Sequence, residues 1–203
     1  APEDGIYVLI KEVIDNCIDE HVMGFGKEVE ITIEDNIVSV RDYGRGVPLG
    51  KLMECASQIN TGAKYDSDAF QRSVGLNGVG IKAVNALSGF FEIQAFREGE
   101  TKAIEFSKGK VVKEMKKPEK STGPNGTRLT FKPDGTIFSS KFKFDRDILE
   151  RMFRFYSYLN TGLTLNFNGT KFRSKDGLQD LLKENLTVEP LYPIIHLTGP
   201  DIE

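Results

Sequence analysis

Glu12, Asp15, Asn16, Asp19 and Glu20 recur at helical spacing, so five acidic or amide groups fall within one arc of a helix wheel. Such crowding repels itself unless a cation or a base offsets it, and by itself it reads more readily as a solvated helix face. A second group is Asp42-Tyr43-Gly44-Arg45-Gly46-Val47-Pro48, an acid followed by two glycines that let backbone approach a ligand closely. A buried carboxylate there can accept from an exocyclic amine such as that of adenine; the alternative is an ordinary strand-to-helix turn. The third group is Gly75-Leu76-Asn77-Gly78-Val79-Gly80, just before an apolar helical pattern. Successive glycines there expose amides to an anion, the helix dipole adds to the attraction, and phosphate is the natural guest. It is not a Walker A loop, because Gly80 is followed by Ile81 before Lys82 and no Ser or Thr adjoins that lysine. Nor does it follow a strand in the Rossmann manner.

The elements that must position these groups can be read from periodicity. Ile6, Ile10, Val13, Ile14, Cys17 and Ile18 predict a helix from Ile6 to Met23, ended by Gly24. Residues 28–40 alternate around Glu34-Asp35-Asn36, as two antiparallel strands joined by a turn do, which puts Asp42 just past a strand end. Leu49 to Ile59 reads as a helix, Thr61 to Gly80 as a long mobile loop, and Ile81 to Leu87 as a helix stopped at Gly89. From Phe90 to Phe138 the pattern is that of an antiparallel meander, with turns at Gly99, Gly109, Gly123, Gly126 and Gly135. A helix over 145–160 capped by Asp145, a hairpin around Asn168-Gly169 and a short helix over 178–183 complete the chain. The sum is an α+β fold, a two-layer α/β sandwich with helices on one face of a mostly antiparallel mixed sheet.

Taken together and in this order, the three groups resemble the nucleotide boxes of the GHKL superfamily, which includes gyrase B, a heat-shock chaperone, histidine kinases and mismatch-repair ATPases. Residues 12–20, Asp42 to Pro48, Thr61-Gly62-Ala63-Lys64-Tyr65-Asp66 and residues 78–88 are similar, within it, to the bacterial type IIA topoisomerase B subunits. The resemblance runs from about Gly5 to Arg97, resumes at Gly126-Thr127, and implies the GHKL (Bergerat) fold, ATP as ligand and Mg²⁺ as cofactor. It implies that Glu12 is the general base and that Asn16 holds the metal. Asp42, with Thr127 assisting through water, would bind the adenine amine, and Gly46 would lie against the ring. Val13, Cys17, Val40, Val47 and Pro48 would wall the pocket. Glu20 and Arg45 would pair at its rim with Arg97 nearby, while Lys64, Leu76, Asn77, Gly78, Val79 and Gly80 would face the phosphates. Asp15 and Asp19 would orient their neighbours. Val74 and Asn77 stand where gyrase usually carries Gly and His, and the connection from Pro48 to Thr61 is short. Both departures point to the topoisomerase IV branch, with gyrase B as the alternative. Lys64 in its Thr-Gly-Ala-Lys setting and the run Arg45 to Pro48 set the chain apart from a histidine kinase. A mismatch-repair ATPase would differ in its partner, and a module that only binds nucleotide does not need Glu12.

Composition agrees with a folded domain, at 39% hydrophobic and 28% charged residues. With 27 Lys plus Arg against 30 Asp plus Glu there is no general positive field to draw nucleic acid. The lysines between Lys102 and Lys120 interleave with Glu100, Glu105, Glu114 and Glu119, which predicts a solvated hairpin rather than a DNA surface. Cys17 and Cys55 have neither metal-ligand nor CxxC spacing, and no apolar run reaches the roughly 20 residues of a membrane helix, so a cytoplasmic origin is expected. The chain starts at Ala1 in a helix lead-in and stops at Glu203 just past an apolar stretch. Residues 1–203 are therefore expected to be a single N-terminal ATPase domain fragment without the family's N-terminal arm and transducer domain. Such a piece is expected to bind ATP and ATP-competitive inhibitors as a monomer and to hydrolyse ATP slowly. The full-length protein would be a homodimer working with a topoisomerase A subunit and DNA.

Overall fold

The computed structural model describes residues 4–57, 79–195, 197 and 199. The expectations placed on residues 58–78, with Lys64, Leu76, Asn77 and Gly78 among them, lie outside the described residues. Helix α1 (Gly5–Val22) is followed by the hairpin of β1 (Glu28–Glu34) and β2 (Ile37–Asp42), turned at Asp35 and Asn36, both at positive φ. A 3-10 turn over Leu49–Lys51 tightens the entry to α2 (Leu52–Ser57). Helix α3 (Gly80–Ala86) runs almost directly into β3 (Ser88–Arg97). Gly89, expected to stop that helix, instead lies inside β3, where the register against its neighbour breaks between Ser88 and Phe90. A residue without a side chain accommodates the bulge.

Strands β4 (Glu100–Ser107), β5 (Lys110–Glu114) and the short β6 (Glu119–Lys120) follow as the expected meander. β7 (Gly126–Pro133) departs from it, crossing back to pair with both β3 and β2. Gly126 is therefore the first residue of a strand rather than a turn. Gly135 opens a short helix, α4 (Gly135–Phe138), capped by the Asp134 side chain. Helix α5 (Arg146–Leu159) begins where the Asp145 carboxylate accepts from the amides of Asp147 and Ile148. β8 (Thr164–Phe167), β9 (Thr170–Phe172) and α6 (Leu178–Asn185) end the described fold.

The strands form one sheet in the order β5-β4-β3-β7-β2-β1-β8-β9, with β6 beside β4. Among the described residues only β1 and β8 run parallel. Register explains its two faces. Ile104, Ile93, Leu129, Val40, Ile31 and Phe167 are successive partners across six strands, an apolar row that α1, α2, α3 and α5 cover in a single core. One residue along, Gln94, Arg128, Arg41, Glu30, Asn166 and Lys171 form the matching row of the opposite, polar face. β5 is exposed along its whole length, and Lys102 pairs with Glu114 at 3.0 Å, as a solvated hairpin should. No helix among the described residues is long and apolar enough to cross a membrane.

Phe153 on α5 is fully buried, its ring 5.0 Å from Phe167 in a T-shaped stack and 6.2 Å from Phe172. It is the main apolar link between that helix and the β8–β9 edge. Phe153→Ala should cost about 3–5 kcal/mol in equilibrium urea denaturation. A loss below about 1 kcal/mol would contradict this packing role.

Candidate functional site

Asp42 ends β2 on the helix-covered side of the sheet, and Thr127 stands beside it at the start of β7. Asp42 is 7% exposed. Its Oδ1 accepts from the Gly44 amide at 2.8 Å and its Oδ2 from the Thr127 amide at 3.2 Å. Burial raises its pKa to about 6, against the pull of those two amides and of the Arg41 charge. Each oxygen keeps a further acceptor site for a ligand donor. Thr127 is tied in twice, since its Oγ1 also accepts from the Val47 amide at 3.2 Å.

The turn after Asp42 is locked from both sides. Glu20 on α1 takes the Arg45 side chain at 2.8 and 3.2 Å and the Arg45 amide at 2.9 Å. Burial pushes the Glu20 carboxyl up, but the hydrogen bonds and charge of Arg45 outweigh it and hold the group below its ordinary value. The same guanidinium lies over the Phe25 ring, 4.5 Å from its centroid. Gly46 has φ +79°, and a Cβ there would come within 2.5 Å of the Phe96 carbonyl oxygen, so only glycine fits. Arg97 donates to the Gly46 carbonyl at 3.0 Å. Val47 and Pro48 are half-buried beyond it, while Val13, Cys17 and Val40 belong to the core beneath. The Cys17 thiol is pushed well up, chiefly by burial and then by the charges of Asp42 and Glu20, which keeps it neutral.

Earlier on α1, Glu12 is half-buried where α1 packs on α3. A Cβ on Gly80 would overlap the Glu12 Oε2, so the carboxylate rests on the backbone at the close of the glycine segment. Val79 beside it is exposed. Asn16 donates through Nδ2 to the Glu12 carbonyl at 2.7 Å, which leaves Oδ1 as its open group. Among the described residues no three His, Cys, Asp or Glu side chains gather as a metal site. A divalent ion here would need ligand phosphates and water to complete its shell around that one amide oxygen, a donor set suited to Mg²⁺. Asp15 points elsewhere, accepting from the Tyr156 hydroxyl at 2.6 Å and from Lys11 at 2.5 Å.

The structure thus brings Glu12, Asn16, Val79 and Gly80 together at the middle of α1, and Glu20, Asp42, Arg45, Gly46, Val47, Arg97 and Thr127 at its C-terminal end. Sequence reasoning missed three residues. Arg41 is buried behind Asp42, and an outward-facing arginine in an alternating strand gives no sign of that. Tyr156 is distant in sequence from Asp15 and carries no local signal. Asn85 is buried on α3, where its Nδ2 reaches the Ala56 carbonyl at 2.9 Å and ties α3 to the last turn of α2. Its place in the 78–88 motif was the available clue.

The buried acid at a strand end, braced by a glycine turn, and the second acid against a glycine-led helix both lie in the part of the chain that matches an ATPase family. The sequence pattern of the family described as "Histidine kinase-, DNA gyrase B-, and HSP90-like ATPase" matches residues 1–137, and the chain belongs to that family. Within it the similarity is to the B subunits of type IIA topoisomerases. The chain is 49% identical over 202 residues to the B subunit of DNA topoisomerase 4 from Borreliella burgdorferi, covering 99% of this chain and 33% of that protein. It is 35% identical over 217 residues to the DNA gyrase B subunit of Chlamydia muridarum, covering 93% of this chain and 27% of that one. In structure it matches the 43K ATPase domain of Thermus thermophilus gyrase B, crystallised in complex with an aminocoumarin. That match has a TM-score of 0.69 and 30% identity over 91% of this chain and 50% of that one. The chain spans about a third of the length of the topoisomerase 4 relative and less of the gyrase relative.

The burial of Asp42 has a direct readout. Its carboxyl carbon should titrate by NMR with a midpoint of about 6 in the ligand-free chain. A midpoint near that of a solvated aspartate, about 4, would show that the pocket is wetter than this packing allows.

Proposed function

We propose that this chain is the ATP-binding and ATP-hydrolysing domain of a type IIA DNA topoisomerase, of the kind found in the B subunit of topoisomerase IV. The observation that carries the reading is the seat of Glu12, a carboxylate with no cation at ion-pair distance among the described residues, resting on Gly80. In this reading Asp42 and Thr127 take the adenine amine, and Gly46, Val47 and Pro48 border the ring. The Glu20–Arg45 pair and Arg97 close the rim. Val79 and Gly80, with Lys64, Leu76, Asn77 and Gly78, face the phosphates. Glu12 orients the attacking water and takes its proton as the water oxygen bonds to the γ-phosphorus and the bond to ADP breaks. Asn16 would hold Mg²⁺ by its side-chain amide oxygen, and the ion would supply charge neutralisation at the phosphates.

The relatives support a reading of the wider enzyme. Nucleotide-driven dimerisation of the full-length protein would power DNA strand passage, with a topoisomerase A subunit and DNA as partners, in the cytoplasm. The aminocoumarin held by the Thermus thermophilus gyrase domain supports ATP-competitive inhibitors as ligands. The gyrase B reading is kept because gyrase proteins are also among the relatives. Supercoiling against decatenation by the complete enzyme separates the two.

Glu12→Gln in the complete enzyme should cut ATP turnover by at least about a hundredfold while nucleotide affinity stays within a few-fold. Parallel loss of binding and turnover would remove the base assignment. Asp42→Asn should weaken nucleotide binding by about ten- to a hundredfold in calorimetry, because it removes a charged acceptor. Unchanged affinity would displace adenine from this end of the pocket.

A further inference from the structure

Arg41 lies on the polar face of the sheet, in register with Arg128 on β7 and Glu30 on β1, yet it is only 6% exposed. Among the described residues it forms no ion pair. Its Nη1 donates to the Asp42 carbonyl at 2.5 Å, and its Nη2 donates to the Pro124 carbonyl at 2.7 Å and more weakly to that of Asn125 at 3.5 Å. The guanidinium carbon sits 4.3 Å from the centre of the Phe96 ring and 4.9 Å from that of Tyr43. Gly126 makes room for it, since a Cβ there, at φ +136°, would overlap both the Asp42 carbonyl oxygen and the Arg41 Nη1.

This is a costly residue. A buried charge with no ion pair is unfavourable; Arg128 across one strand adds to the penalty and Glu30 across the other offsets part of it. An apolar side chain of similar length would fill the space without either. The neighbour that gains from the charge is Asp42.

We infer that Arg41 is a positioning residue for nucleotide binding: it holds the Asp42 main chain and the Pro124–Asn125 turn in one frame, so that the Asp42 carboxylate meets the Thr127 amide and faces the ligand as an anion. The inference rests on the reading of Asp42 as the adenine acceptor. An ionised acceptor binds an amine about twice as strongly as a neutral one, so affinity should fall as pH drops through the Asp42 midpoint. Burial raises that midpoint to about 6; Arg41 and the two amides pull it down, and Glu20 on α1 pushes it up. The other groups around the pair are accounted for. Glu20 is matched by Arg45, with Arg97 also acting on it. The Cys17 thiol is neutral. Glu30 on β1 acts on the Tyr43 hydroxyl, raising it further than burial does alone, and Arg128 on β7 acts on Arg41 itself. Removing the Arg41 charge should therefore raise the midpoint.

The test follows the Asp42 carboxyl carbon by NMR, and the affinity for a non-hydrolysable ATP analogue by calorimetry, between about pH 5 and 8. It compares the 203-residue chain with its Arg41→Met and Arg41→Lys variants. Arg41→Met should raise the midpoint by about one pH unit, so that its affinity deficit is about fivefold larger at pH 6 than at pH 8. Arg41→Lys, which keeps the charge but not the fork, should leave the midpoint within a few tenths of a unit. An unmoved midpoint in Arg41→Met, or an affinity loss equal at every pH, overturns the proposal and makes Arg41 a packing residue. If Arg41→Met fails to fold, Arg41→Gln carries the same expectations. A midpoint that moves as expected while affinity ignores it, with Asp42→Asn binding like the parent, overturns the adenine reading instead and leaves the Arg41–Asp42 coupling standing.

Discussion

A carboxylate taken out of water must be surrounded by donors, and at Asp42 those donors come from two separate pieces of chain. The Gly44 amide is local, two residues on; the Thr127 amide arrives from the start of another strand. Much of the neighbourhood can be understood as what it takes to bring them there. The Thr127 hydroxyl then fixes Val47, Arg97 fixes the Gly46 carbonyl, and the Glu20–Arg45 fork fixes the turn between. The result is an acceptor that is dry, rigid and incompletely used, which is the condition under which a hydrogen bond to a ligand amine counts most.

The crowded arc of α1 is resolved by giving its acids different company. Asp15 is drawn to Tyr156 and Lys11, and Glu20 to Arg45, so their charges are bound up in the fold. The Tyr156 phenol, raised above its ordinary pKa first by burial and then by its bond to Asp15, stays a donor. Asn16 bonds back to the Glu12 carbonyl and keeps its amide oxygen outward. Glu12 is left as the acid set against the glycine-led helix. Repulsion that would weaken an isolated helix is thereby turned into a division of roles along one face.

The helices and the hairpins were legible because their periodicities are local: the α1 pattern, the Asp35-Asn36 turn and the Asp145 cap each declare themselves within a few residues. What could not be read is what depends on pairing at a distance. Nothing between Phe90 and Phe138 says that β7 leaves the meander to sit between β3 and β2, and that crossing is what carries Thr127 to Asp42. Of the glycine and acid motifs, the described parts lie along α1, Glu12 and Asn16 against Gly80 at its middle and Glu20 with the Asp42 turn at its C-terminal end, because their spacing reflects backbone approach. The residues behind them escaped notice. Arg41 reads as a solvent-facing charge in an alternating strand, and Tyr156 as one more aromatic on an amphipathic helix, because burial and partnership across the fold leave no trace in local pattern.

The Asp42–Thr127 contact spans 85 residues of sequence. Closing so long a loop is entropically unfavourable until the intervening strands are in place, so this end of the sheet is a seam between distant segments. A ligand seated across it touches both lips of the seam at once. Nucleotide in such a position acts as a stitch: it binds only chains whose sheet has closed, and mass action then draws the whole population toward the closed form.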